Sequence, residues 1–213
     1  MCTLFAVIWP EVHFGDLEAC ERHSADLIAH CAEKRVGQYR VVGAIFHTYA
    51  RATREPTGEN IAAYRAAIDT HHGSGARLGD TFFIAMLAEA LLAAGDVKGA
   101  EAALKEAFAY VEGSGEHYRF ADLHRVEGQI ALKQSEPDRA QAEACFLQAI
   151  ESARSQEARM LELRAANDLA RLWRETSSPN DPRPLLEPIL AAIEGGESMR
   201  DVRNARALLA EIG

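Results

Sequence analysis

The chain has 213 residues, 48% of them hydrophobic and 26% charged, a balance that supports a folded core and excludes intrinsic disorder. Its net charge of −9 and pI near 5.4 argue against a surface built to hold nucleic-acid phosphates. No apolar run reaches the ~18 residues of a membrane span, and the start at Met1-Cys2-Thr3 lacks a basic leader and cleavage site, so a cytoplasmic protein is expected.

Apolar residues recur at helical spacing along the whole chain, and nothing alternates like a strand. A first helix is expected over 3–14, kinked or broken near Pro10, which cannot donate a backbone hydrogen bond. Gly15-Asp16 turns into a second helix over 17–34, with Cys20, Ser24, Leu27 and Cys31 on one face. A second pair covers 38–53 and 58–72, separated by Glu55-Pro56-Thr57-Gly58, where Thr57 or Glu59 serves the next helix start. The third pair covers 78–93 and 97–112, joined at Gly95-Asp96, and the fourth 117–134 and 138–155, joined at Ser135-Glu136-Pro137. A fifth begins near Ala158 and ends its first helix around Glu175. After the turn-rich 177–182 come a helix over 185–193 and a last one over 198–212. The four cysteines (Cys2, Cys20, Cys31, Cys145) form no CxxC pair and are expected as buried free thiols.

These helices repeat. Residues 64–68 align with 104–108 at a step of 40, and 104–108 with 146–150 at a step of 42. Gly73-Ser74-Gly75 recurs 40 residues later as Gly113-Ser114-Gly115, and Thr48, Ala88, Gly128 and Ala170 form one column of small residues. Ser24, Leu27 and Ile28 make a weaker first copy. A period of this size predicts stacked helix pairs, in which each unit buries its apolar face on its neighbours. The expected fold is all-α, a right-handed superhelical solenoid of about five antiparallel pairs in one domain, 1–213, capped by the helix over 198–212.

The runs 143–154 and 162–174, with 204–209 at the close, resemble the tetratricopeptide-like C-terminal repeats of bacterial STAND-class signalling ATPases and transcriptional regulators, including cyclase-linked ATPases. The runs 85–91 and 121–128 resemble the matching upstream repeats. The unit of about 40 residues departs from the ~34 of an ordinary tetratricopeptide, and the resemblance weakens before Gly37. It implies a sensor or scaffold that binds a protein or peptide in a concave groove lined by the first helix of each pair.

Counting from the small column, that groove would receive Ile45 and Tyr49, Ala85 and Glu89, Arg125 and Gln129, then Asn167 and Arg171, with Val42, Phe82, Asp122 and Arg164 one turn earlier. It thus shifts from apolar to polar and basic. The candidate contacts are Arg164, Asn167, Arg171, Arg125, Gln129 and Tyr49, the arginines suiting carboxylates. The alternative is that these arginines are solvated or paired with Glu162, Asp168 and Glu175. His71 and His72 are adjacent and point apart on a helix, while His23/His30 and His117/His124 lack companion ligands, so no metal or other cofactor is expected. The glycine clusters read as helix ends rather than phosphate loops, and Trp9 and Trp173 as packing residues. No nucleophile, base and orienting group can be assembled. The expectation is a non-catalytic interaction module of a bacterial signalling or transcription-regulatory system. Its rivals are a small-molecule sensor acting on an effector ATPase or transcription factor and, behind that, an enzyme. Self-association through the apolar N-terminal half is a further expectation, without direct nucleic-acid or membrane binding.

Overall fold

A computed structural model of the chain describes residues 2–77, 79–115, 117–176 and 178–211, with the side chain of Cys2 left out. The expectations for the Cys2 thiol, for Leu78 and for the end of the last helix at Ile212 lie outside the described residues. Among those residues the chain is all-α, without a strand. They fall into two compact units, Met1–Ser114 and Gly115–Gly213.

The first unit holds α1 (Cys2–Phe14), α2 (Leu17–Lys34), α3 (Gly37–Arg54), α4 (Gly58–Gly73), α5 (Asp80–Ala93) and α6 (Val97–Ser114). Each helix packs on the next, and α3 also touches both α1 and α5. The second unit holds α7 (Phe120–Lys133), α8 (Arg139–Ser155), α9 (Arg159–Glu175), α10 (Arg183–Ala191) and α11 (Arg200–Ala210). Here α9 is the hub, packing on α7, α8, α10 and α11.

Four of the even-numbered helices, α2, α4, α6 and α8, start on side-chain caps, and α10 starts at Pro182 without one. Asp16 accepts from the Ala19 amide (3.1 Å), Thr57 from Asn60 (3.2 Å), Asp96 from Gly99 (2.9 Å) and Asp138 from Gln141 (2.9 Å). Each cap satisfies one of the amides that a helix start leaves without an intrahelical acceptor, a contribution of about 1 kcal/mol. Of the odd-numbered helices, α3, α5, α7, α9 and α11 start with no such side-chain bond. In the first four pairs the turn inside a pair is therefore written into the sequence by a capping residue, and the turn between pairs is not.

Two expectations about helix course change. Proline does not break α1: Pro10 and Ala6 are both exposed, so the carbonyl freed one turn back faces water and the helix runs through. The glycine clusters end α4 one residue and α6 two residues later than expected. Gly73 and Gly113 are helical, and Gly75 and Gly115 carry the left-handed φ of +81° and +71° that stops the chain. Elsewhere α7 begins at Phe120 rather than His117, and α10 runs Arg183–Ala191.

The two units have cores of different chemistry at matching positions. In the first, Trp9, Phe46, Tyr49, Phe82 and Phe83 form a connected ring cluster, with Trp9 4.9 Å from Phe46 and 5.5 Å from Phe82 between centroids. Pairs of this kind add about 0.5–1.5 kcal/mol beyond area burial. In the second, Phe146, Ile150, Leu163, Leu169, Leu186 and Val202 belong to one apolar cluster, and the odd-numbered helices also bury the charged residues Asp122, Arg125, Glu162, Arg164 and Asp201.

Candidate functional site

In the second unit α7, α9 and α11 bring the sequence-selected polar residues together, mostly below the surface. Asp201, at the start of α11, accepts from Arg164 Nε (2.9 Å), and its backbone carbonyl accepts from Asn167 Nδ2 (2.9 Å). Asp168 accepts from Arg125 Nη1 (3.1 Å), Gln129 Nε2 (2.8 Å) and Arg171 Nη1 (2.6 Å). Asp122 sits between them, paired with Arg119, 3.6 Å from Arg125 Nε and 3.7 Å from Arg164 Nη1. The result is an alternating chain of arginines and aspartates that links the three helices.

Its electrostatics follow from burial. Burial by itself raises the Asp201 carboxyl, but the charges of Arg164 and Arg200, the Arg164 hydrogen bond and then Arg125 outweigh it and hold the group below the usual carboxylate range. Burial pulls the Arg125 guanidinium down from its ordinary value, opposed by Asp168 and reinforced by Arg164. A buried carboxylate or guanidinium is tolerable only when paired, and each of these is.

Four of the six expected groove residues lie below the surface. Arg125 (5% exposed), Arg164 (8%), Asn167 (1%) and Tyr49 (7%) are buried, their neighbours in the odd-numbered helices having covered the face on which the helical count placed them. Tyr49 belongs to the other unit, where its ring lies 5.8 Å from Tyr64 and 6.3 Å from Phe82. Gln129 and Arg171 are half-buried and reach the surface while bonded to Asp168. The column three residues before the small position (Ile45, Ala85, Arg125, Asn167) is buried throughout, whereas Glu89, Gln129 and Arg171, one residue after it, retain access. The alternative of ion-paired arginines thus describes this site, with Asp168 as one partner and Asp201 and Asp122 as partners that sequence proximity did not suggest. Glu162 instead binds Arg154 (2.6 Å) and Arg159 (3.1 Å).

Beside this network the last turn of α9 and the facing residues of α11 border an open groove of about 490 Å³. It is lined by Arg171, Arg174, Glu175 and Asn204 over Ala207 and Leu208, with Glu211 at one end. Arg174 Nη1 meets Glu211 Oε2 at 2.5 Å, both side chains largely solvent-exposed. Neither Arg174 nor Asn204 is singled out by the helical count, which places the helix over 198–212 only as a polar cap. The Asn204 to Arg206 run was the available signal.

Other titratable groups are shifted by burial and by their neighbours. The Cys145 thiol is pushed up to about 11, by burial first and then by the neighbouring Glu127 carboxylate. The Cys20 thiol is pushed up to about 12 by burial and then by Glu11. Both directions oppose thiolate formation. Glu127 is held below its usual value first by its hydrogen bond with His124. His23 pairs with Glu11 (2.5 Å), and Trp173 donates to Glu143 (2.7 Å) while packing on the apolar core. Among the described residues no group of three or more histidine, cysteine or acidic side chains is arranged to hold a metal ion. No helix among them is long and apolar enough to cross a membrane. His71 and His72 do not point apart: both face Asp80 of α5, with Nε2 to carboxylate distances of 3.7 and 2.9 Å. Compared with known proteins, the chain matches no family model, no curated protein and no solved structure.

Proposed function

We propose that the chain is a non-catalytic interaction module of a bacterial signalling or transcription-regulatory system, built of tetratricopeptide-like helix pairs that stack in the right-handed sense and working in the cytoplasm. Its ligand is a protein or peptide segment carrying a carboxylate. The observation that carries this reading is the open α9/α11 groove, in which Arg171, Arg174 and Asn204 surround an apolar floor of Ala207 and Leu208. Guanidinium groups bind carboxylates through paired, directional hydrogen bonds. The Arg174–Glu211 pair is exposed, and such pairs are worth only about 0–1 kcal/mol, so a ligand carboxylate displaces Glu211 cheaply. The buried ion chain beneath supports the reading by holding Arg171 in place before the ligand arrives, which lowers the ordering cost of binding. An open groove with exposed walls suits an extended segment better than an enclosed metabolite, so the small-molecule sensor takes second place.

The test is affinity capture from lysate with the wild type and an Arg171→Ala/Arg174→Ala variant, followed by fluorescence anisotropy with a labelled segment of any protein lost by the variant. Both substitutions lie at exposed or half-buried positions, so the circular dichroism spectrum and melting temperature should be kept. The expected result is roughly a tenfold or greater loss of affinity, since hydrogen bonds to charged groups contribute about 1.5–3 kcal/mol. Identical capture by both proteins would dismiss this groove.

A further inference from the structure

The first unit contains a buried acid whose surroundings differ from those of every aspartate in the second. Asp80, the first residue of α5, is fully buried. Among the described residues the charged or chargeable groups acting on it are His72, His71 and Arg77. The two histidines come from the last turn of α4, and Arg77 from the connection between the helices. His72 Nε2 lies 2.9 Å from Oδ2, His71 Nε2 3.7 Å from Oδ1, and Arg77 Nε 3.8 Å from Oδ2. Among the described residues, the other elements packed on α5 bring no further charge that acts on the carboxylate. From α6, Tyr110 donates to the Arg77 carbonyl (2.8 Å), and from α3, Phe46 and Tyr49 lie against Phe83 and Phe82. His71 is also edge-on to Phe83, at 5.7 Å.

Arg77 is a poor counter-ion here. Its side chain is half in water, and its Nη1 already donates to the carbonyls of His72 (3.0 Å) and Ala76 (2.7 Å). A buried carboxylate calls for a closer opposite charge, and the imidazoles are the groups placed to supply it once protonated. Both sit at the C-terminal end of α4, where the helix dipole also favours positive charge.

We propose that His71, His72 and Asp80 form a proton-binding latch between the end of α4 and the start of α5, which closes more firmly in mildly acid than in neutral solution. One proton shared by the cluster turns a neutral imidazole contact into a buried ion pair. The apparent midpoint belongs to the cluster and not to one side chain. Burial pushes the Asp80 carboxyl up from its ordinary value, with His72 and then His71 and Arg77 opposing. A group raised in the folded state contributes stability that is present at low pH and is lost as pH rises through its folded value. The direction at Asp80 therefore agrees with a folded state that holds protons more tightly than the unfolded chain.

The chain provides its own reporter. Trp9 touches Phe82 and Phe83, which directly follow the latch, and Trp173 is the other of the two tryptophans. In a Trp173→Phe background, urea unfolding followed by Trp9 fluorescence should show the unfolding constant falling about three- to tenfold between pH 8 and pH 5.5. One linked proton allows at most about tenfold per pH unit. The same series with Asp80→Asn, and with His72→Gln, should show a clearly smaller change than the wild type. The second readout needs no unfolding: in the histidine ring NMR spectrum of the intact protein, the His71 and His72 midpoints should drop in Asp80→Asn while that of His30 stays. Equal pH profiles for wild type and Asp80→Asn, with unmoved His71 and His72 midpoints, would overturn the latch.

Discussion

Removing the carboxylate of Asp201 tests whether the buried ion chain holds the second unit together. Asp201→Ala deprives Arg164 of its 2.9 Å partner and leaves it Asp122 at 3.7 Å, with both the Arg164 and Asp201 side chains less than a tenth exposed. Stranding one member of a buried pair costs about 3–5 kcal/mol. The remaining Asp122 contact and the surviving Asn167 bond to the Asp201 backbone put the expectation at the lower end, about 3 kcal/mol. Asp201→Asn keeps the shape and one acceptor for Arg164, and should cost about 1–2 kcal/mol. Arg164→Met/Asp201→Leu removes both charges and should cost less than Asp201→Ala, because no unpaired charge remains.

The assay is urea unfolding followed by Trp173 fluorescence in a Trp9→Phe background, which isolates the second unit from the first. A pH arm follows from the sign of the shift. Asp201 is depressed in the folded state, so its contribution is present above the ordinary carboxylate value near ~3.9 and is lost as pH falls through its lower folded value. The stability gap between wild type and Asp201→Asn should therefore narrow between about pH 5 and pH 2. An Asp201→Ala cost under about 0.5 kcal/mol, the scatter of an ordinary surface substitution, would show that the ion chain does not hold the unit together. A double variant less stable than both single variants would show the same.

Two further outcomes test the packing and the thiols. Gly128→Ala should lower the stability of the second unit by about 1 kcal/mol on the same Trp173 assay. A Cβ there would stand 2.6 Å from the buried Phe146 ring and 3.0 Å from the Ala142 carbonyl, an overpacking cost of about 1–3 kcal/mol against a helix-propensity gain of about 1. A stabilised variant would mean that α7 and α8 have room to separate. Cys20 and Cys145, with thiols raised to about 12 and about 11, should resist iodoacetamide at pH 8 in the native protein and react on adding urea. Peptide mass spectrometry would read each site, and rapid native labelling of either would contradict its burial.

Much of the local structure can be read without coordinates, because the forces that set it act within a few residues. The helical stripe of Cys20, Ser24, Leu27 and Cys31, all buried, follows from periodicity alone. The starts of α2, α4, α6 and α8 at Asp16, Thr57, Asp96 and Asp138 follow from a side chain reaching an amide three residues on. Tertiary structure decided which charged residues are exposed. A helical count can place Arg164, Asn167 and Arg171 on one face of α9, but only the packing of α11 shows that Asp201 covers the first two and that Arg171 stays at the edge. Likewise, His71 and His72 diverge as neighbours on an ideal helix, and only the return of the chain into α5 sets Asp80 against both. Helix periodicity and capping are properties of short stretches. The desolvation of a charge and the choice of its partner belong to residues 37 positions apart in sequence at Arg164 and Asp201, and no local pattern encodes that distance.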